Sequence, residues 1–399
     1  MRQALVTGGS GFIGQHLVTT LLAHDRRVRV LDLRPPRCAA TAVQYVRGSV
    51  LDPELLQAAL GDVEEVYHLA GLPGMWTQHK NDFHAVNAQG TATVIAAARK
   101  RGVSRLLHCS TESILFRPSC TASALAEDVS VTLDQMPGPY TRSKMLGEQH
   151  ALQAAASGFP VVIANPTMPI GPHNGNLTPP TLMLQYFLSR RVQIYLDFIM
   201  NLVDVRDVGA GLMLVMERGQ TGQRYILGGE NISLKKLLAI VGVISGRKAL
   251  RIPIPAVMAQ TTAAVLEFIA DHVTLKTPTG TIEGVRIASR SQALSIEKAR
   301  RELGYAPRPI GGALEEAIQS VLNKSQESTN RNMMNIRAYS GLADEKLARG
   351  RWCPASSVKH HGRDCSRKRS LRSYLDRMGC QLGSGVIVVR PHGKTRRNT

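Results

Sequence analysis

The sequence predicts an α/β protein built on a doubly wound parallel sheet. Three observations predict it. A glycine-rich turn, Thr7-Gly8-Gly9-Ser10-Gly11-Phe12-Ile13-Gly14, separates a short apolar run from a helical one. Strand-like and helical runs then alternate through the first 165 residues, the pattern of parallel strands joined by helices. Far downstream, Tyr140 and Lys144 stand four residues apart in Pro139-Tyr140-Thr141-Arg142-Ser143-Lys144. A chain of 399 residues has length for one large domain or two smaller ones.

Ala4-Leu5-Val6 is bounded by turn residues and reads as a buried strand. Gly9-Ser10-Gly11-Phe12-Ile13-Gly14 satisfies Gly-x-Gly-x-x-Gly, with Gly8 adding a further small position. Such glycines allow a tight turn and let backbone approach a pyrophosphate at a helix start. A helix over 12–22 and a strand over 28–31 ending in Asp32 complete the βαβ unit this Rossmann fingerprint requires. Asp32 stands where a carboxylate accepts both adenosine ribose hydroxyls and repels a 2′-phosphate, favouring NAD over NADP. Arg34 and Arg37 follow, either as solvated loop charges or as partners for such a phosphate.

Further strands are expected at 43–46, 66–70, 106–110 and 161–165, separated by helices at 53–60, 83–100 and 140–157. Beyond Pro166 the pattern is less regular. Helices are expected at 181–188, 207–217, 233–245, 255–272, 296–303 and 313–322, with short strands at 201–205 and 224–227. This division gives a dinucleotide-binding domain over 1–165, an intertwined smaller substrate lobe over 166–324, and a tail over 325–399. The tail carries 16 Lys or Arg against 5 Asp or Glu, about +11 of the net +19. With weak apolar periodicity it reads as basic and poorly ordered. It could touch nucleic acid or an anionic membrane weakly, or have no dedicated partner.

Cys353, Cys365 and Cys380 fall in the tail with His360 and His361, but Cys-x-x-Cys spacing is absent and no metal site is expected. Cys38, Cys109 and Cys120 read as reduced thiols. The first strand begins at the N-terminus, leaving no room for a signal peptide, and no run of 18 apolar residues occurs. The cytoplasm is the expected location.

On a helix, residues four apart share a face, so the Tyr140 phenol and Lys144 ammonium can meet over one ligand. A phenol titrates near ~10, and a nearby ammonium is expected to move it toward neutrality. The pair would then serve hydroxyl-to-ketone interconversion at a nicotinamide.

Together these motifs resemble the extended short-chain dehydrogenase/reductase family, also called the NAD-dependent epimerase/dehydratase family, over roughly residues 1–324. The likeness is carried by Thr7–Gly14, Asp32, Asp52, His68-Leu69-Ala70-Gly71, Asn87, Ser110-Thr111, Tyr140 with Lys144, Asn165-Pro166-Thr167, and Val205-Arg206-Asp207-Val208. It implies that Thr111 hydrogen-bonds the substrate oxygen beside Tyr140 and that Lys144 holds the nicotinamide ribose. Leu69, Ala70 and Gly71 would pass beneath the cofactor, Asn87 would brace it, and Asn165 would reach the nicotinamide or the substrate. Asn87 as a helix cap and Asn165 as a turn former before proline are the plainer readings.

Two segments depart from relatives acting on nucleotide sugars. Met200 stands where they look to carry an arginine, and Ile287-Ala288-Ser289-Arg290-Ser291-Gln292 replaces an Arg-x-Gly-Asp segment. Ser49 stands where an acidic adenine contact is usual. The branch resembled most is that of dihydroflavonol-4-reductase-like proteins and hopanoid-associated sugar epimerases. The implied activity is NAD(P)-dependent oxidoreduction or epimerisation of a small alcohol, ketone or sugar, with a homodimer as the family's usual assembly. A dinucleotide-sensing or nucleic-acid-binding regulator is the alternative that the basic tail raises.

Overall fold

Seven parallel strands form the central sheet of the computed structural model, which describes residues 2–35, 42–118, 124–172 and 178–323 and the backbone of 381–383 and 386–388. Arg37, Cys38, Cys120, the tail cysteines and most of 325–399 lie outside the described residues. Residues 1–330 make one unit and 331–399 a second.

The first unit opens with β1 (Gln3–Thr7), α1 (Phe12–Ala23), β2 (Arg27–Asp32), β3 (Val43–Arg47), α2 (Pro53–Ala59) and β4 (Glu65–His68). Next come α3 (Asn81–Phe83), a π-helical turn (His84–Gln89), α4 (Gly90–Lys100), β5 (Arg105–Cys109), α5 (Pro139–Ala156) and β6 (Val161–Pro166). The remainder runs β7 (Met168–Ile170), α6 (Pro179–Ser189), β8 (Val192–Tyr195), β9 (Ile199–Asp204), α7 (Val205–Arg218), β10 (Arg224–Leu227) and β11 (Glu230–Ser233). It closes with α8 (Leu234–Ser245), β12 (Leu250–Pro253), α9 (Ala256–Ile269), a second π-turn (Ala270–Thr274), α10 (Ile282–Arg290), α11 (Glu297–Leu303) and α12 (310–323).

Sheet order is β10-β6-β5-β4-β1-β2-β3. The chain reverses direction across the sheet between β1 and β4, and the crevice outside such a switch point is where α/β sheets bind ligands. Ala4, Leu5 and Val6 are fully buried, because helices cover both faces of the sheet. On one face Leu17 and Leu21 of α1 pack with Val208 and Leu212 of α7. On the other, Leu56 of α2, Val94 of α4 and Ala151 of α5 share a core with Val66, Leu106 and Val161. A third core joins Leu184 of α6, Leu237 of α8 and Leu314 and Ile318 of α12 beside the small sheet β11-β9-β7.

The structure corrects several expected elements. The helix expected over 83–100 is interrupted by the π-turn, which carries Asn87 inward. The strand expected at 201–205 ends at Asp204, whose carboxylate caps α7 through the Arg206 amide at 2.8 Å. Four short strands (β7, β8, β11, β12) and α10 were not expected, being too brief or too mixed in polarity for a periodic signal. In the second unit Gln381–Gly383 (β13) pairs antiparallel with Val386–Val388 (β14).

Candidate active site

The carboxyl ends of β1 and β4 press against each other, and glycine makes that possible. Gly8 has φ +72°, and a Cβ there would lie 2.7 Å from the Ala70 nitrogen and 2.8 Å from the Leu69 carbonyl carbon. At Gly14 a Cβ would overlap the Gly8 carbonyl oxygen and stand 2.7 Å from the Gly9 Cα. Gly9 faces Val30, and Gly11, whose amide donates to Gly8 O at 3.0 Å, begins α1 without a side-chain cap. Phe12 is buried and Ile13 half-buried in the first turn, which has no acidic residue. Uncapped amides at the positive end of a helix suit a pyrophosphate. The half-exposed Asp32 receives the Ser10 and Arg34 amides, one on each carboxylate oxygen, both at 3.0 Å. This set fits a dinucleotide.

A buried relay fixes the loop after β4. Thr91 Oγ1 donates to Asn87 O at 2.7 Å, so its 3.0 Å contact is accepted from His68 Nε2–H. His68 Nδ1 then accepts from the Thr7 hydroxyl at 2.8 Å, and Thr7 Oγ1 accepts the Ala70 amide at 3.2 Å. Burial first, and the Lys144 charge second, push the His68 imidazole down to about 3, so it stays neutral as this tautomer requires. Asn87 Oδ1 accepts the Leu72 amide at 2.7 Å while Nδ2 donates to Leu72 O and Ser143 Oγ. Asn87 is therefore a protein clamp between the Leu69-Ala70-Gly71 loop and α5, not a helix-start cap.

The carboxyl end of β5 meets the start of α5. Thr111 Oγ1 donates toward Glu112 Oε2 at 3.0 Å and lies 3.2 Å from Ser113 Oγ. The same hydroxyl is close enough to the Tyr140 phenol to act on its pKa. Lys144 Nζ donates to the Cys109 carbonyl at 2.8 Å. The expected depression of the Tyr140 pKa is overturned. Burial first, then the Glu112 carboxylate, raise it above the ordinary phenol value, and the Thr111 hydroxyl opposes them only in part. Lys144 directs its N–H at a backbone carbonyl, and burial lowers its own pKa. Burial also raises the Cys109 thiol to about 11, so it is not a thiolate at neutral pH.

Two carboxylates that sequence reasoning missed shape this site. Burial raises Glu112 to about 7, against the hydrogen bond from Thr111. Its signal was its place directly after Ser110-Thr111 at a strand end. Glu283 of α10 accepts the Tyr140 amide at 3.1 Å and the Thr141 amide and hydroxyl at 2.7 Å each. It supplies the cap that Gly138 lacks, from 143 residues beyond Tyr140, and no local pattern could disclose that. Asn165 is fully buried, its Nδ2 donating to the Thr111 carbonyl at 3.1 Å and to Glu148 at 3.0 Å. It braces Thr111, while its Oδ1 has no hydrogen-bond partner among the described residues. Met200 is buried in the third core. Among the described residues no cluster of metal-ligating side chains occurs.

A glycine cradle at the switch point, with Tyr140, Lys144 and Thr111 beyond it, defines a dinucleotide-dependent enzyme of the Tyr-x-x-x-Lys type. The comparisons make this definite: residues 4–228 match the NAD dependent epimerase/dehydratase family, and the chain belongs to it. It is 33% identical to a Synechocystis sp. protein named provisionally as a dihydroflavonol 4-reductase, over 81% of this chain and 96% of that one. It is 27% identical to sterol demethylase protein B of Methylococcus capsulatus, over 79% and 96%. Among solved structures it resembles gox2253, with TM-score 0.70 and 32% identity over 81% of this chain and 99% of that one. The Bacillus cereus UDP-glucuronic acid 4-epimerase, at TM-score 0.62 and 22% identity over 80% and 99%, shares the fold. The chain is thus an NAD-dependent enzyme acting on a small molecule, and the regulator reading gains no support.

Proposed function

We propose that this enzyme reduces a ketone on a largely apolar skeleton, or oxidises the matching secondary alcohol, with Tyr140 as the proton donor and acceptor. The observation that carries the reading is the Tyr140 phenol, one turn from Lys144 on α5 and kept protonated by burial and Glu112. A protonated phenol is the form that donates to a ketone oxygen as hydride arrives at the carbon. Thr111 would orient that oxygen, and Lys144, anchored on Cys109 O, would hold the nicotinamide ribose. Bound NAD supplies or accepts the hydride. Gly8, Gly9, Gly11 and Gly14 would hold its pyrophosphate, Asp32 its adenosine ribose, and Leu69, Ala70 and Gly71 the floor of its site. The Asp32 carboxylate favours NAD over NADP.

Reduction is preferred to epimerisation for two reasons. Full-length relatives include a farnesyl-dihydroquinoline-oxide ketoreductase of Stigmatella aurantiaca and a sterol-4-alpha-carboxylate 3-dehydrogenase of mouse. The position of one expected diphosphate-binding arginine is occupied by buried Met200. Residues 1–165 would form the cofactor domain and 166–324 the substrate lobe, in a cytoplasmic homodimer.

The test is to incubate the purified enzyme with NADH and a panel of hydrophobic ketones, following nicotinamide absorbance. Net oxidation of NADH supports the reading. Tightly retained NAD with sugar epimerisation and no net absorbance change would replace it with the epimerase reading.

A further inference from the structure

α9 is inverted for a surface helix. Its buried residues are small, Ala259 and Ala263, with Ala270 just beyond its end. Its outward row is large and apolar: Val257, Met258, Val265 and Phe268 are 74%, 56%, 56% and 62% exposed. Residues 257, 261, 265 and 268 recur at helical spacing and share one face; Thr261 is polar, Gln260 and Thr262 are exposed beside it, and the exposed His272 stacks on Phe268 at 4.4 Å. Surface helices normally turn charge to this side. The one charged residue of α9, Glu267, and Asp271 beyond it are both paired with Lys80, at 3.3 and 3.4 Å.

The exposure continues along the chain on either side of α9. Val273 and Leu275 are 70% and 53% exposed in the turn that follows. In β12, which leads into α9, the exposed Leu250 and Ile252 pair with the exposed Val192 and Ile194 of β8. Exposed basic residues border these elements: Arg190 and Arg191 before β8, Arg247 and Lys248 before β12, and Lys276 after the π-turn. A largely apolar helix face flanked in sequence by exposed basic residues matches an anionic lipid surface, whose headgroups meet the cations and whose acyl chains receive the apolar side chains.

We propose that α9 lies in the headgroup layer of an anionic bilayer, with Val265 and Phe268 reaching the acyl chains. At about 1.5 Å per residue its 14 residues extend roughly 21 Å. No described helix is long and apolar enough to cross a membrane, so the contact runs along the surface. Bound this way, the enzyme would meet lipophilic substrates where they dissolve.

The experiment uses the full chain, so that the basic tail is present throughout. Sedimentation with phosphatidylglycerol/phosphatidylcholine vesicles is compared with phosphatidylcholine alone, and Phe268→Trp reports depth through quenching by brominated acyl chains. The expected result is binding to anionic vesicles, with the introduced indole quenched beyond any signal of the unsubstituted chain. Val265→Glu with Phe268→Glu should lower vesicle affinity at least tenfold with the thermal melt unchanged. Sedimentation without quenching of that indole would place the contact on the tail and overturn the proposal. Unchanged binding by the double variant would overturn it as well, as would a soluble dimer that this variant dissociates. None of these readouts depends on catalytic activity.

Discussion

Thr111 Oγ1 directs its hydrogen at Glu112 Oε2, 3.0 Å away. The protonation of Glu112 therefore decides which way the hydroxyl chain at this site can donate. A neutral Glu112 can donate a hydrogen bond to Thr111 and free the Thr111 hydrogen for a substrate oxygen. An ionised Glu112 only accepts.

Ketone reduction is accordingly expected to fall as pH rises through about 7, where Glu112 ionises. Glu112→Gln, which cannot ionise, should flatten that limb of the pH–turnover profile. Stability follows with a definite sign. The folded pKa is raised, so the folded state holds a proton that the unfolded chain releases between the ordinary carboxylate range and about 7. Glu112 thus makes the fold less stable as pH rises through that window, with no further change above it. Thermal melts of wild type and Glu112→Gln across this window check the slope.

Glu283→Ala should lower stability by about 2–4 kcal/mol, since it leaves two amides and a hydroxyl at the start of α5 without their acceptor. Denaturant unfolding measures this. Glu283→Gln retains one acceptor oxygen and should recover part of the loss.

Gly14→Ala should abolish NAD binding while leaving a folded protein. Its methyl group would meet the Gly8 carbonyl and displace the turn that presents the α1 amides. Fluorescence titration with NADH reads the affinity, and circular dichroism reads the fold.

Asp32→Asn should shift coenzyme preference toward NADP by tenfold or more, because the charge repelling a 2′-phosphate is gone while an oxygen remains for the Ser10 or Arg34 amide. The ratio of kcat/KM for NADPH and NADH gives the shift.

The nucleotide half of the fold was legible in the sequence because its strands are apolar and periodic and its glycine turn is local. Ala4–Val6, Asp32 and the Tyr140/Lys144 helix all stand where the pattern put them. The substrate lobe was less legible: β8 and β12 are four residues each, with Val192 and Ile194 exposed and Gln193 buried in β8 and three of four residues exposed in β12, so their polarity does not follow burial. The electrostatics of the site were not legible at all. Spacing put Lys144 on one helix with Tyr140, but the carbonyl that binds Lys144 and the carboxylates that raise the phenol come from β5, from Glu112 and from α10. Asn87 and Asn165 were recognisable as polar residues at strand and helix ends, yet their partners (Leu72, Ser143, Thr111, Glu148) are fixed only by tertiary packing.

The most direct measurement is the turnover of Tyr140→Phe alongside its NADH affinity. Loss of the donor should lower ketone reduction by about 10²–10⁴-fold, with the dissociation constant for NADH changed less than about threefold, since the cradle lies in β1 and α1. Turnover equal to wild type in a variant that still binds NADH would contradict the assignment of Tyr140 as the proton donor.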